Sequence, residues 1–180
     1  MNRFVAKTAQ NYYYTEQTVI KLNQGHKMDN NKKPTILVVD DNQQNLELIQ
    51  AYLEDIDCYT LSAFDGVEAL ETIADNDVDL ILLDVMMPKM SGFEVCKRLK
   101  SNPETNDIPV LMVTALTEFG DIERGIDSGT DDFISKPVNK LELLTRVRTM
   151  LKLKNITDKL QRTLAYLSEI EKQARNTSAE

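Results

Sequence analysis

The sequence predicts a doubly wound α/β domain built on a five-stranded parallel sheet. Short apolar runs recur at Ile36–Val39, Leu80–Leu83, Val110–Val113 and Phe133–Ile134, each followed by a polar or charged residue, and Thr60–Ala63 joins the series as a more polar segment. The stretches between them place apolar residues at the three-to-four spacing of a helix. The runs themselves do not alternate apolar with polar, which suits strands covered by helices on both faces.

The rhythm sets in at Pro34. Ile36–Val39 is the first run and ends at Asp40 and Asp41, and Leu46, Ile49, Leu53 and Ile56 then mark a helix. Thr60–Ala63 reads as the second strand, followed by a helix carrying Val67, Leu70, Ile73 and Ala74. Leu80–Leu83 is wholly apolar and ends at Asp84. Ser91-Gly92 opens a third helix with Phe93, Val95, Cys96 and Leu99. Val110–Val113 ends at Thr114, a fourth helix lies between Phe119 and Asp127 and is closed by Gly129, and Phe133–Ile134 ends at Lys136-Pro137. Leu141, Leu144 and Val147 begin the last helix.

Composition bounds the function. At 42% hydrophobic and 28% charged residues, the chain fits a globular protein of 180 residues with one main domain and short extensions. No run of 18 apolar residues and no secretory signal is visible, so neither membrane insertion nor export is expected. Cys58 and Cys96 are far apart and read as reduced, buried thiols in a cytoplasmic protein. The net charge is -8, with +4 on residues 1–33, +2 on 151–180 and the remaining -14 between them. So acidic a centre argues against direct nucleic-acid binding and suits a divalent cation. Residues 1–33 form a polar, poorly ordered tail with a Tyr12-Tyr13-Tyr14 run and a turn or two of helix near Thr15–Leu22. Met28, just before the first strand, reads as an alternative start. His26, the sole histidine, lies in this tail without a helical bundle around it, so phosphate must reach the chain from elsewhere.

In a doubly wound sheet, ligands bind beyond the carboxyl ends of the strands where strand order reverses. Here those ends carry Asp40, Asp41, Asp84, Thr114 and Lys136. Three carboxylates together repel one another, a conflict that a hard cation such as Mg²⁺ removes with oxygen ligands and waters. An aspartate can attack phosphorus to give an aspartyl phosphate. Asp84, standing alone at the end of the central apolar strand, is the candidate nucleophile. Pro88 and Gly92 hold the following loop to a tight path, Lys136 supplies a cation, Thr114 a hydroxyl, and Ala115 leaves space for a phosphoryl group.

These segments resemble the receiver domains of bacterial two-component response regulators. The likeness is carried by Val-Val-Asp40-Asp41-Asn42, Leu-Leu-Asp84-Val-Met-Met-Pro88-Lys-Met-Ser-Gly92, Val-Thr114-Ala115 and Phe133-Ile-Ser-Lys136-Pro137, and it covers about Pro34 to Leu151. The intervals of 43, 30 and 22 residues from Asp41 to Asp84, Thr114 and Lys136 in turn match as well. The resemblance implies a flavodoxin-like strand order and a phosphorylation-dependent switch with Asp84 as phosphoacceptor. It implies Mg²⁺ bound by Asp41, Asp84 and the Met86 carbonyl, with Asp40 helping directly or through water. Lys136 would contact the phosphoryl group, the Lys136-Pro137 peptide would be cis, and Thr114 and Phe133 would form a switch pair. The implied partner is a sensor histidine kinase or phosphotransfer protein, and the implied catalysis is limited to self-phosphorylation and slow self-dephosphorylation. The Asp-Val-Met-Met-Pro wording is similar to receivers joined to diguanylate cyclase or related outputs, so a regulatory part of a longer effector is one alternative. An Asp-nucleophile phosphohydrolase is another, but that class needs a second acid where Met86 stands.

The receiver is expected over 34–152 and a helical extension over 153–180. Leu153, Ile156, Leu160, Thr163, Leu167, Ile170 and Ala174 are spaced 3-4-3-4-3-4, about three heptads. Two readings fit: a coiled coil that pairs two chains, or an amphipathic helix lying on its own domain.

Overall fold

The computed structural model describes residues 33–115 and 119–177, with five strands and five helices in alternation. The strands are β1 (Thr35–Val39), β2 (Tyr59–Ala63), β3 (Leu80–Asp84), β4 (Val110–Thr114) and β5 (Asp132–Ser135). The helices are α1 (Gln43–Leu53), α2 (Gly66–Asp75), α3 (Gly92–Ser101), α4 (Phe119–Ser128) and α5 (Lys140–Thr177). The tail features noted above, Met28, His26 and the tyrosine run among them, lie outside the described residues.

All four strand pairings are parallel, in the order β2-β1-β3-β4-β5. This is the flavodoxin-like order, with its reversal between β1 and β3. Residue alternation along each strand builds two cores. Ile36, Val38, Leu80, Leu82, Leu111 and Val113 face α1 and α5, where Leu46, Ile49, Leu53, Leu143 and Val147 close over them. Leu37, Val39, Ile81, Leu83, Val110 and Met112 point the other way and meet Ala69, Ile73, Val95, Cys96 and Leu99 of α2 and α3. Every residue of β3 and β4 is buried. Each such Leu, Ile or Val contributes roughly 1.5–3 kcal/mol by leaving water.

Helix starts follow from local chemistry. The Asn42 side chain accepts the Gln44 N–H, and Asp65 accepts those of Val67 and Glu68. Ser91 and Glu94 form a reciprocal capping box at α3, confirming the expected start. Asn139 accepts the Glu142 N–H at 3.1 Å and begins α5.

Four sequence expectations are corrected. The buried side chains of α2 are Ala69 and Ile73, whereas Val67 and Ala74 are exposed, because α2 covers the sheet near its edge and needs only a narrow stripe. Ile56 lies past the end of α1 rather than within it. β2 is mostly exposed, since it is the sheet's edge strand. Cys58 is half-buried, and only Cys96 is fully enclosed. Burial pushes both thiols up, which keeps them protonated.

The last helix runs unbroken for 38 residues, about 57 Å. Past Leu151 it leaves the core, with Leu153, Ile156, Leu160, Leu164 and Leu167 each at least half exposed. The Gln161 amide donates to Asp107 at 3.3 Å, so the helix still passes close to the α3–β4 loop at that point. Leu164, absent from the heptad reading, widens the apolar stripe. None of the described helices is long and apolar enough to cross a membrane.

Candidate functional site

Strand register assembles the site. Val39 pairs with Leu83, so one step further along, Asp40 stands beside Asp84 at the β1/β3 reversal. Asp41 follows at the start of the β1–α1 connection, and carboxylate oxygens of Asp40, Asp41 and Asp84 lie within 4.8 Å of one another. Asp40 and Asp84 are 1% and 3% exposed, whereas Asp41 is open to solvent.

Two buried acids this close need compensation. Lys136 reaches over from just beyond β5, with its Nζ 2.7 Å from Asp40 Oδ2 and 3.1 Å from Asp84 Oδ1. The Lys136 N–H donates to the Thr114 carbonyl at 2.8 Å, and the Lys136-Pro137 peptide is cis. Asp40 also accepts the Asn42 N–H at 2.9 Å and both of its oxygens take the Asn45 amide at 3.0 Å. Asp84 accepts the Val85 N–H at 2.8 Å. Burial pushes the Asp84 carboxyl above the usual range, opposed by Lys136 and reinforced by the charge of Asp40. Lys136 is pulled down by burial, but its bonds to Asp40 and its attraction to Asp84 outweigh this and hold it above its ordinary value.

Asp40 therefore serves largely as an anchor for Lys136 and Asn45, while Asp41 alone of the three acids is open to solvent. The donor set is hard, anionic and oxygen-only. It fits a small divalent cation such as Mg²⁺, and a net negative charge remains after Lys136 is counted. Met86 is exposed in the loop immediately after Asp84, and its N–H supports the Asp84 carboxylate. Thr114 is buried at the end of β4, one register step beyond Val113, the partner of Asp84. Ala115, next in the chain, is exposed. Phe133 is half-buried on β5 against the α2/α3 core. All the sequence-selected residues thus gather at one sheet end, with Phe133 set back along β5.

Two contributors escaped the sequence reading. Asn45 sits on the first turn of α1, five residues after Asp40; an amide facing the sheet end was the available signal. Gly92 was read as a loop residue and helix opener, without the contact it makes. Any Cβ there would lie 2.2 Å from the Asp84 carbonyl oxygen, so α3 begins in direct contact with the end of β3. A cleft of about 480 Å³ opens at the other sheet end between α5 and the loops before β4 and β5. Most of its charged groups are paired, Lys100 with Asp131, Arg146 with Asp132 and Lys154 with Asp158, while Asp107 accepts the Gln161 amide.

A five-stranded doubly wound sheet with three acids at the reversal and a lysine bridging two of them defines a class, the phosphorylatable aspartate switches. The chain belongs to the response regulator receiver domain family, whose family pattern matches residues 36–148. It is 46% identical over 127 residues to the response regulator PleD of Caulobacter vibrioides, covering 70% of this chain and 28% of that protein. It is 42% identical over 119 residues to the DNA-binding dual master transcriptional regulator RpaA of Synechocystis, covering 66% of this chain and 49% of that one. The chain thus spans half or less of these two relatives' lengths. Among solved structures, it is similar to the signal receiver domain of a signal transduction histidine kinase from Syntrophus aciditrophicus, with a TM-score of 0.63, 34% identity, and 66% and 90% of the two chains covered. The receiver domain of the Francisella response regulator 1452 gives a TM-score of 0.62 at 35% identity, covering 67% and 98%.

The Gly92 contact yields a direct expectation. Gly92→Ala should cost about 1–3 kcal/mol, as overpacking against backbone does. Urea unfolding monitored by circular dichroism measures it; an unchanged midpoint would show that the close approach imposes no constraint.

Proposed function

We propose that this chain is a phosphorylation-dependent switch in which Asp84 takes a phosphoryl group from a sensor histidine kinase or phosphotransfer protein. The observation that carries the reading is the buried Asp84 held between Lys136 and the other two acids. An Asp84 oxygen forms a new bond to phosphorus as the donor's P–N bond breaks, and the departing imidazole keeps the bonding pair and takes up a proton. With a small donor such as acetyl phosphate, the P–O bond breaks and acetate leaves. Mg²⁺, held by Asp41, Asp84 and the Met86 carbonyl with Asp40 contributing directly or through water, would neutralise phosphoryl oxygens. Lys136 pairs with the incoming phosphoryl group, and Ala115 leaves it room. Thr114 turns its hydroxyl toward the phosphoryl oxygens and Phe133 moves with it, while the cis Lys136-Pro137 peptide shapes the turn that carries the lysine. Signalling rather than turnover is the role, carried out in the cytoplasm with only self-phosphorylation and slow self-dephosphorylation as chemistry. Met86 in place of a second acid speaks against a phosphohydrolase. Regulation of an attached effector, a diguanylate cyclase or another output, is compatible with the longer relatives.

With acetyl phosphate and Mg²⁺, the chain should be labelled at a single site, and Asp84→Asn should abolish labelling because an amide is a poor nucleophile. Undiminished labelling of the variant sinks the assignment. Mg²⁺ titrated into Asp41→Ala should bind at least about tenfold more weakly, roughly 1.4 kcal/mol; wild-type affinity would remove Asp41 from the ligand set.

The exposed stripe on α5 supports a second reading, that two chains pair through Leu153–Leu167. At +2 the segment from 151 onward opposes pairing less than the -14 of the preceding body. Sedimentation of the full chain should show a dimer that Leu160→Lys with Leu167→Lys converts to monomer, and beryllofluoride should strengthen it. A wild-type chain that stays monomeric with and without beryllofluoride ends this reading in favour of a partner-binding adaptor.

A further inference from the structure

Phe133 packs against a helix position that has no side chain. A Cβ on Gly125 would stand 2.2 Å from Phe133 Cζ and 2.5 Å from Cε1, far inside contact distance. Gly125 is buried in the last turns of α4. Its φ is not positive, so the turn itself does not call for glycine. Glycine is also a poorer helix former than alanine, and the ring supplies the reason that it stands here. The Gly125 carbonyl is fixed by the Ser128 hydroxyl at 2.6 Å and the Thr130 N–H at 3.4 Å. On the preceding residue, the Arg124 guanidinium lies 5.4 Å from the centre of the Phe93 ring on α3. The helix surface beneath the ring is therefore held from both sides, and the half-buried ring is the part that would yield.

We propose that Gly125 is the seat of the Phe133 ring, and that the space left by its missing side chain sets the balance between this half-buried ring position and a more exposed one and, through it, the site's affinity for a phosphoryl group. This rests on the reading of Thr114 and Phe133 as the switch pair. If the half-buried ring and a phosphoryl group at Asp84 favour each other, whatever expels the ring must weaken phosphoryl binding by the same factor. α4 is then a participant in the switch rather than a passive cover, because its position fixes the depth of the seat.

The test is a cycle of four full-length chains: wild type, Gly125→Ala, Phe133→Ala and the double variant. Beryllofluoride affinity in the presence of Mg²⁺ is measured by calorimetry, and the thermal midpoint by circular dichroism. Gly125→Ala should weaken beryllofluoride binding about tenfold and lower the midpoint while Phe133 is present. In the Phe133→Ala background it should leave affinity unchanged and hold or raise the midpoint, since alanine is the better helix former. Equal effects in both backgrounds, or no effect in either, overturn the seat. If the midpoints show the coupling while Phe133→Ala itself leaves beryllofluoride affinity untouched, the proposal falls through its premise, the switch pair, and the packing contact alone survives. Should Gly125→Ala fold poorly, adding Phe133→Leu must restore folding; failure to do so also overturns the seat.

Discussion

Two carboxylates lie one step beyond the paired ends of β1 and β3, both nearly sealed from solvent, and a single lysine holds them. Removing one partner from a buried ionic group typically costs about 3–5 kcal/mol, because the charge left behind has neither water nor counterion. Here the lysine is shared, so Asp40 and Asp84 depend on the same ammonium group. That sharing ties β5 to β1 and β3 across β4. It also explains the hydrogen bonds around Asp40, where Asn42 and Asn45 occupy lone pairs that Lys136 cannot reach. The site is anionic by construction and stays so after Lys136 is counted, a charge balance that suits a divalent cation.

The rest of the architecture can be seen as support for that junction. The two cores sandwich β3 and β4 so completely that the strand ends have little freedom. Gly92 lets α3 start against the Asp84 carbonyl, and the Ser91–Glu94 capping box fixes where that start falls. The β3–α3 loop is therefore short of options, and Met86 is presented at a defined place beside Asp84. On the far side, the backbone bond from Lys136 to Thr114 links the cation to the strand end that bears the hydroxyl. β4 and β5 pair up to Thr114 and Ser135, and further back along β5 Phe133 rests against Gly125. α5 begins just after Lys136-Pro137 and runs out of the domain, so the element nearest the switch is also the one that leaves the receiver. The cleft beside it, with most of its charges paired, has the character of a structural junction rather than of a pocket awaiting a substrate.

The fold class was legible in the chain, because four unalternating apolar runs and the Thr60–Ala63 segment, separated by helical spacings, leave few arrangements other than a parallel sheet covered on both faces. The sequence by itself also determined which residues end the strands, and so that Asp40, Asp41, Asp84, Thr114 and Lys136 are the polar groups brought to one sheet end. A strand end is marked by a change from apolar to polar, a purely local signal. The tertiary structure decided how those residues share work. That Asp40 is sealed and bound to Lys136 and Asn45, while Asp41 stays open, depends on inter-strand register and on the turn of α1, neither of which leaves a local mark. The edge position of β2 and the outward faces of Val67 and Ala74 depend on which neighbours a strand or helix acquires, and apolar spacing does not encode that. The glycines make the difference sharpest. In the chain, Gly92 and Gly125 are residues of one type in a loop motif and a helix. Only the assembled fold shows that one is pressed against a backbone carbonyl and the other against an aromatic ring, because close approach belongs to pairs of segments distant in sequence.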